Sequence, residues 1–233
     1  MHINNPEKRL AKFWGRVDKK HIRSIAEFVK GECILDVGCG MGTTTGALNT
    51  ASVKCIGIDY DDKSLNVAKS LNPNGIFMNE NCEKLSFSDN YFDTIILRDV
   101  LHHLTGESDF SKSKKELIRV AKPGARIIIL DPNINFILKF ARKIASHKDE
   151  ECTYEEALKI VESMNGVVIH KNFHTIYSLP LSGGYVGTSF IPNINFIQNL
   201  ILLSEKKVEK IINKLNMGRS FCWRYLIAAD ILK

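Results

Sequence analysis

Between Ile34 and Gly46 the chain reads I-L-D-V-G-C-G-M-G-T-T-T-G. Asp36 stands two residues ahead of Gly38, and Gly38, Gly40 and Gly42 alternate with Cys39 and Met41. Without a Cβ, such a loop lets a ligand come close to the backbone. A dinucleotide fingerprint, G-x-G-x-x-G, would need its third glycine at position 43, where Thr43 stands. A phosphate loop of the G-x-x-x-x-G-K-S/T kind would need a lysine after Gly46, and Ala47 follows. Spacing thus disfavours both phosphate loops, while a plain strand-to-helix turn would use the same glycines. Asp59 ends the apolar run 53–59, where a carboxylate can accept two hydrogen bonds from a ribose. Residues able to move protons follow a later apolar run: Arg98, Asp99, His102 and His103. Asp131 closes another such run, and His170, His174, Tyr177 and Tyr185 are further candidates. The element Leu101-His102-His103-Leu104 also suits a purely structural role in shaping a helix.

Strand-like and helix-like segments alternate around these residues. Ile22, Ile25, Ala26 and Val29 have helical spacing, which predicts a helix over 18–29. Short strands are expected at 33–37, 53–60, 76–78, 93–97 and 125–131, the last fully buried. Between them fall helices at 43–48, with threonines suited to capping, at 63–70 after Asp61 or Asp62, and at 112–121, closed by Pro123-Gly124. A helix over 153–164 and strands within 167–173 and 222–232 complete the series. The alternation predicts an α/β fold, a mainly parallel sheet with helices on both faces. In such sheets ligands bind beyond the carboxyl ends of the strands, where the glycine loop falls.

The segments 132–152 and 178–220 break this rhythm. They read as additions forming a small helical cap on a single domain. The domain core is about 18–131 and 153–177 plus 221–233. Both additions contain the six residues P-N-I-N-F-I, at 132–137 and 192–197, most simply two similar helix starts. The second addition holds a helix over about 195–216. That helix reads as packing on the core or covering a hydrophobic acceptor. It also has the make-up of a helix resting on a membrane surface, apolar stripe first and four lysines after.

With the later segments N-C-E-K-L-S-F-S-D-N-Y-F-D-T-I-I-L-R-D-V-L-H-H-L and L-I-R-V-A-K-P-G-A-R-I-I-I-L-D-P-N, the glycine loop and Asp59 resemble the class I S-adenosylmethionine-dependent methyltransferases. The likeness is to the broad small-molecule group carrying D-x-G-x-G-x-G, F-D-x-I/V, L-H-H-L/I and L-x-P-G-G, and covers 31–133. It implies a three-layer Rossmann-like sheet of seven strands, mostly parallel with an antiparallel final strand. It implies S-adenosylmethionine as cofactor, leaving as S-adenosylhomocysteine. Asp36 would organise water or the amino group of the methionine part. Gly38, Gly40 and Gly42 would admit the cofactor, Asp59 would hold its ribose and Tyr60 would lie against adenine. Asn81 and Cys82 stand where the family usually has Asp-Ala, reading the edge of adenine. Leu97 would offer its carbonyl to the ammonium. Tyr60 and Cys82 also have simple packing readings. His102 and His103 are the candidates for catalysis where an acceptor must lose a proton.

The chain has 233 residues and a net charge of +6, +3 on either side of residue 130. No basic half or tail marks a nucleic-acid footprint. The amino-directed nucleic-acid pattern with Pro-Pro and an aromatic is absent after the fourth strand, as is the Pro-Cys of cytosine-C5 enzymes. A small or amphipathic acceptor is therefore favoured, over an RNA acceptor and over a module that binds S-adenosylmethionine without turnover. Nucleic acid and membrane are not the partners favoured by the sequence. Six cysteines without a C-x-x-C pair suggest reduced thiols, no zinc site and a cytoplasmic protein. The N-terminus has no apolar signal-peptide core.

Overall fold

Runs such as Cys33–Val37 and Ile127–Leu130 are apolar at nearly every position, as suits strands covered on both faces. A computed structural model describes residues 13–106, 110–136, 138–139, 152–182 and 190–233. In chain order these form α1 (Phe13–Ala26), β1 (Cys33–Val37), α2 (Thr43–Leu48), β2 (Lys54–Asp59), α3 (Asp62–Leu71), β3 (Ile76–Asn79) and β4 (Phe92–Arg98). Then come α4 (Leu101–Gly106), α5 (Phe110–Val120), β5 (Ala121–Pro132), α6 (Tyr154–Ser163), β6 (Gly166–His174), α7 (Ser178–Leu181), α8 (Asn195–Lys214), α9 (Gly218–Phe221) and β7 (Arg224–Ile231). Tyr185 and most of 132–152 lie outside the described residues.

The seven strands are ordered β3-β2-β1-β4-β5-β7-β6. The pairs β1–β2, β1–β4, β2–β3 and β4–β5 are parallel. β7 runs antiparallel to β6: Leu232 N–H bonds Asn165 C=O just beyond one end of the pair, and Trp223 N–H bonds Thr175 C=O beyond the other. The sheet is the Rossmann-like one expected. The order reverses beside β1, so the crevice between the ends of β1 and β4 is the switch point where open α/β sheets take ligands.

Two local expectations are corrected. β5 does not wait for Pro123-Gly124 but starts at Ala121. Its register with β4 jumps from Phe92–Ala121 to Thr94–Arg126, so Pro123 and Gly124 form a bulge, where a missing N–H costs no ladder bond. The threonines of α2 do not cap it: left-handed Gly42 takes the N-cap place, and no side chain caps the helix.

The chain divides into two compact units. In the larger (25–106, 110–131, 152–171 and 226–233), Ile34, Cys55, Ile96, Ile128 and Leu226 form a buried cluster with Ile25. The smaller comprises 13–24, 132–136, 138–139, 172–182 and 190–225, and its apolar cluster is Leu138, Leu179 and Trp223 with Trp14 and Ile134. There α8 reverses the usual amphipathic rule. Gln198, Glu205 and Glu209 are buried, while Phe196, Leu200, Leu203 and Ile211 are exposed. Ile197, Ile201, Leu202 and Ile212 are half-buried beside these acids, so the inner side combines apolar side chains with an ion cluster. Lys20 Nζ lies 2.6 Å from both Glu205 and Glu209. Glu205 also accepts the N–H groups of Ile176, Tyr177 and Ser178. Burial works against its charge, but Lys20 and these donors hold its carboxyl below the ordinary range. Among the described residues no helix is long and apolar enough to cross a membrane.

Candidate functional site

The parallel strands carry the predicted residues of the larger unit, His170 apart, to one rim, because parallel strands end on the same side of a sheet. In spatial order the rim residues are Asn79, Asp59, Val37, Arg98 and Asp131. Gly38 begins the loop after β1. A Cβ there would stand 2.5 Å from Val100, so this loop packs on the loop after β4 across the switch point. Gly42 turns left-handed (φ 72°), and a Cβ would meet the Phe77 ring at 2.5 Å. Gly40 is also left-handed (φ 51°), yet a Cβ on it would meet nothing within 4 Å. Of the three glycines, Gly40 alone faces open space; the other two serve the packing of the loop itself.

Asp59 fixes this loop. Its Oδ2 accepts the Gly40 N–H at 2.8 Å and its Oδ1 accepts the Asp61 N–H at 3.0 Å. Each carboxylate oxygen offers two acceptor positions, so both oxygens keep capacity for a pair of hydroxyls. Asp36 lies beneath the loop, 2% exposed, and accepts the Thr45 hydroxyl at 2.6 Å. Burial pushes its carboxyl up to about 6, against the Thr45 hydrogen bond and the nearby Arg98 charge. Arg98 donates to Thr44 at 2.9 Å. The supporting threonines were missed in the sequence, since three adjacent threonines at a helix start read as caps.

Tyr60 is 79% exposed and packs no core, and the Asn79 side chain donates to its carbonyl. Asn81 spends one acceptor position of its Oδ1 on the Glu83 N–H at 2.9 Å. Cys82 is half-buried with its Sγ 3.3 Å from the Ser113 hydroxyl, so it ties this turn to α5. Leu97 is buried in β4 between Val37 and Ile129.

The two adjacent histidines part company. His102 is buried, with Nδ1 2.9 Å from Asp131 Oδ2, and its backbone N–H reaches the same oxygen at 3.2 Å. Asp131 thus orients the ring and lies at the N-terminal turn of α4, where a carboxylate is favourable. A proton on Nδ1 leaves the lone pair of a neutral ring on Nε2. His103 is exposed, its ring centroid 4.2 Å from that of His102. Asp99 has a left-handed φ of 56°, a conformation an aspartate tolerates better than most residues.

The remaining candidates fall elsewhere. His170 stacks on Phe28 at 4.3 Å, and Arg126, near the start of the straight part of β5, donates to the Phe28 carbonyl. That is the amino end of the parallel strands, so His170 is not a rim residue. Tyr177 and His174 belong to the smaller unit, where the Tyr177 hydroxyl meets Ser204 at 2.6 Å.

Two carboxylates, backbone amides and an open glycine suit a ligand bearing an ammonium and a ribose better than a phosphate. Comparison with known proteins agrees. Residues 35–129 match a family model described as "Methyltransferase domain". The chain is 30% identical to the "Uncharacterized methyltransferase YcgJ" of Bacillus subtilis over 56% of its own length and 54% of that protein's. So it spans about half of that relative. It is 27% identical to a "Ubiquinone/menaquinone biosynthesis C-methyltransferase UbiE" of Vibrio cholerae over 67% of its length and 69% of that protein's. The fold is shared with a crystal structure of a SAM-dependent methyltransferase from Archaeoglobus fulgidus. That match has a TM-score of 0.65 and 17% identity over 93% of each chain.

Proposed function

We propose that the chain is a class I S-adenosylmethionine-dependent methyltransferase that transfers a methyl group to a small or amphipathic molecule with an apolar body. The observation that carries this reading is the glycine loop, clamped by Asp59 while Gly40 opens to space. The family cofactor, S-adenosylmethionine, supplies an activated methyl on a sulfonium. Asp59 would hold its ribose hydroxyls, Tyr60 and Asn81 its adenine, and Asp36 with the Leu97 carbonyl its ammonium end. Methyl transfer by in-line displacement asks little of the protein beyond positioning the acceptor and excluding water. Where the acceptor carries a proton, His102 is the residue to take it, with Asp131 setting its tautomer. His103, exposed beside it, is the lesser candidate.

The acceptor class is supported by the names of the relatives: UbiE is named for C-methylation in ubiquinone and menaquinone biosynthesis. The absence of Pro-Pro and Pro-Cys motifs speaks against the amino-directed and cytosine-C5 nucleic-acid classes. The test is calorimetry with S-adenosylmethionine, then label transfer from methyl-labelled cofactor to lipid-soluble and water-soluble acceptor pools. Asp59→Ala is expected to bind the cofactor roughly 10- to 100-fold more weakly, the worth of hydrogen bonds to a charged group. Unchanged affinity sinks the ribose assignment. Tight binding with no product from any pool points to a binding module instead.

A further inference from the structure

We propose that the outward face of α8 docks the protein on an anionic lipid bilayer. On a helical wheel Phe196, Leu200 and Leu203 share one outward stripe, and they are 75%, 58% and 62% exposed. The same stripe continues towards the C-terminus as exposed Lys207, Lys210 and Lys214, with Lys206 beside it. Each half runs for roughly 10 Å, so one face is apolar at one end and basic at the other. Phe190 and Ile194, ahead of the helix, are exposed as well.

The inner face explains why the outer one is apolar. The helix places its acids, Glu205 and Glu209, inward on Lys20, and Arg16 bonds Asn195, Gln198 and Asn199. The acids take the most buried positions of α8, so Phe196, Leu200 and Leu203 are left facing outward. The outward face carries lysines and no acid. Pairing with a second copy would set this face against its own kind and leave the lysines without counter-charge. An anionic bilayer supplies both complements: acyl chains for Phe196, Leu200 and Leu203, and headgroups for the lysines.

Vesicle flotation with the full chain tests this, using phosphatidylcholine alone against equal parts phosphatidylcholine and phosphatidylglycerol. The protein is expected to float with the mixed vesicles, to leave them as salt rises, and to bind neutral ones far less. Leu200→Ser with Leu203→Ser, and separately Lys207→Glu with Lys210→Glu, should each weaken binding roughly tenfold or more. These positions are exposed, so circular dichroism should show the fold intact. A wild type that stays out of both vesicle fractions overturns the proposal, as does binding unaffected by the serine pair. A dimer in sedimentation velocity that the serine pair dissolves, without vesicle binding, assigns the face to a second copy.

Discussion

At the scale of single residues the site is a set of carboxylates with unequal surroundings. Asp59 is shared with backbone amides at the rim, whereas Asp36 is buried and protonates at about 6. Its folded pKa exceeds the unfolded value of 3.8, so between those pH values the folded protein binds more protons than the unfolded one. The contribution of Asp36 to stability is therefore fully present below the unfolded pKa and is lost as pH rises through about 6, by an amount on the order of 2–3 kcal/mol. In the proposed site, which sets the cofactor's ammonium near Asp36, cofactor binding runs the other way, because the cation favours the carboxylate. Affinity should rise with pH through this region with proton release, measurable by titration calorimetry in buffers of different ionisation enthalpy. Asp36→Asn should flatten both profiles. The glycines separate similarly. Gly40→Ala should fold with a loss of about 1 kcal/mol and bind cofactor poorly, whereas Gly42→Ala should lower the melting temperature further by clashing with Phe77. The sequence motif made all three glycines look alike, since spacing tells nothing of which one faces a neighbour.

At the scale of elements, legibility followed local chemistry. α3 begins where Asp61 or Asp62 was expected to start it: the Asp61 side chain accepts the N–H groups of Lys63 and Ser64. Asp61→Ala should cost about 1 kcal/mol in chemical denaturation without altering catalysis. The strands were readable because each is a short apolar run bounded by turn residues. β5 was readable only in part, because a bulge makes Pro123-Gly124 look like a helix stop followed by a fresh strand. The threonines of α2 were misread because a hydroxyl suits a cap and a buried carboxylate equally. Only the fold brings Thr45 to Asp36. The same holds for His102: the histidine was visible in the sequence, but its bond to Asp131 crosses from the first turn of α4 to the end of β5.

At the scale of the whole molecule, the smaller unit was least legible, because its interior is held by ions that come from distant segments. Nothing in the α8 sequence says that its glutamates turn inward; Lys20, 185 residues from Glu205, decides it. Glu205→Gln should lower stability by roughly 2–4 kcal/mol in thermal or denaturant unfolding, since it breaks a buried pair and weakens the acceptor of three backbone donors. The span of that ion pair also sets a schedule for the chain as it leaves the ribosome. Residues 13–24 are made before the sheet strands but belong to a unit completed only by residues up to 225. The sheet strands β1 to β5 can pair while Lys20 still waits for its acids. Closing so long a loop is slow and comes late, so Lys20 stays without its acids through most of the chain's synthesis.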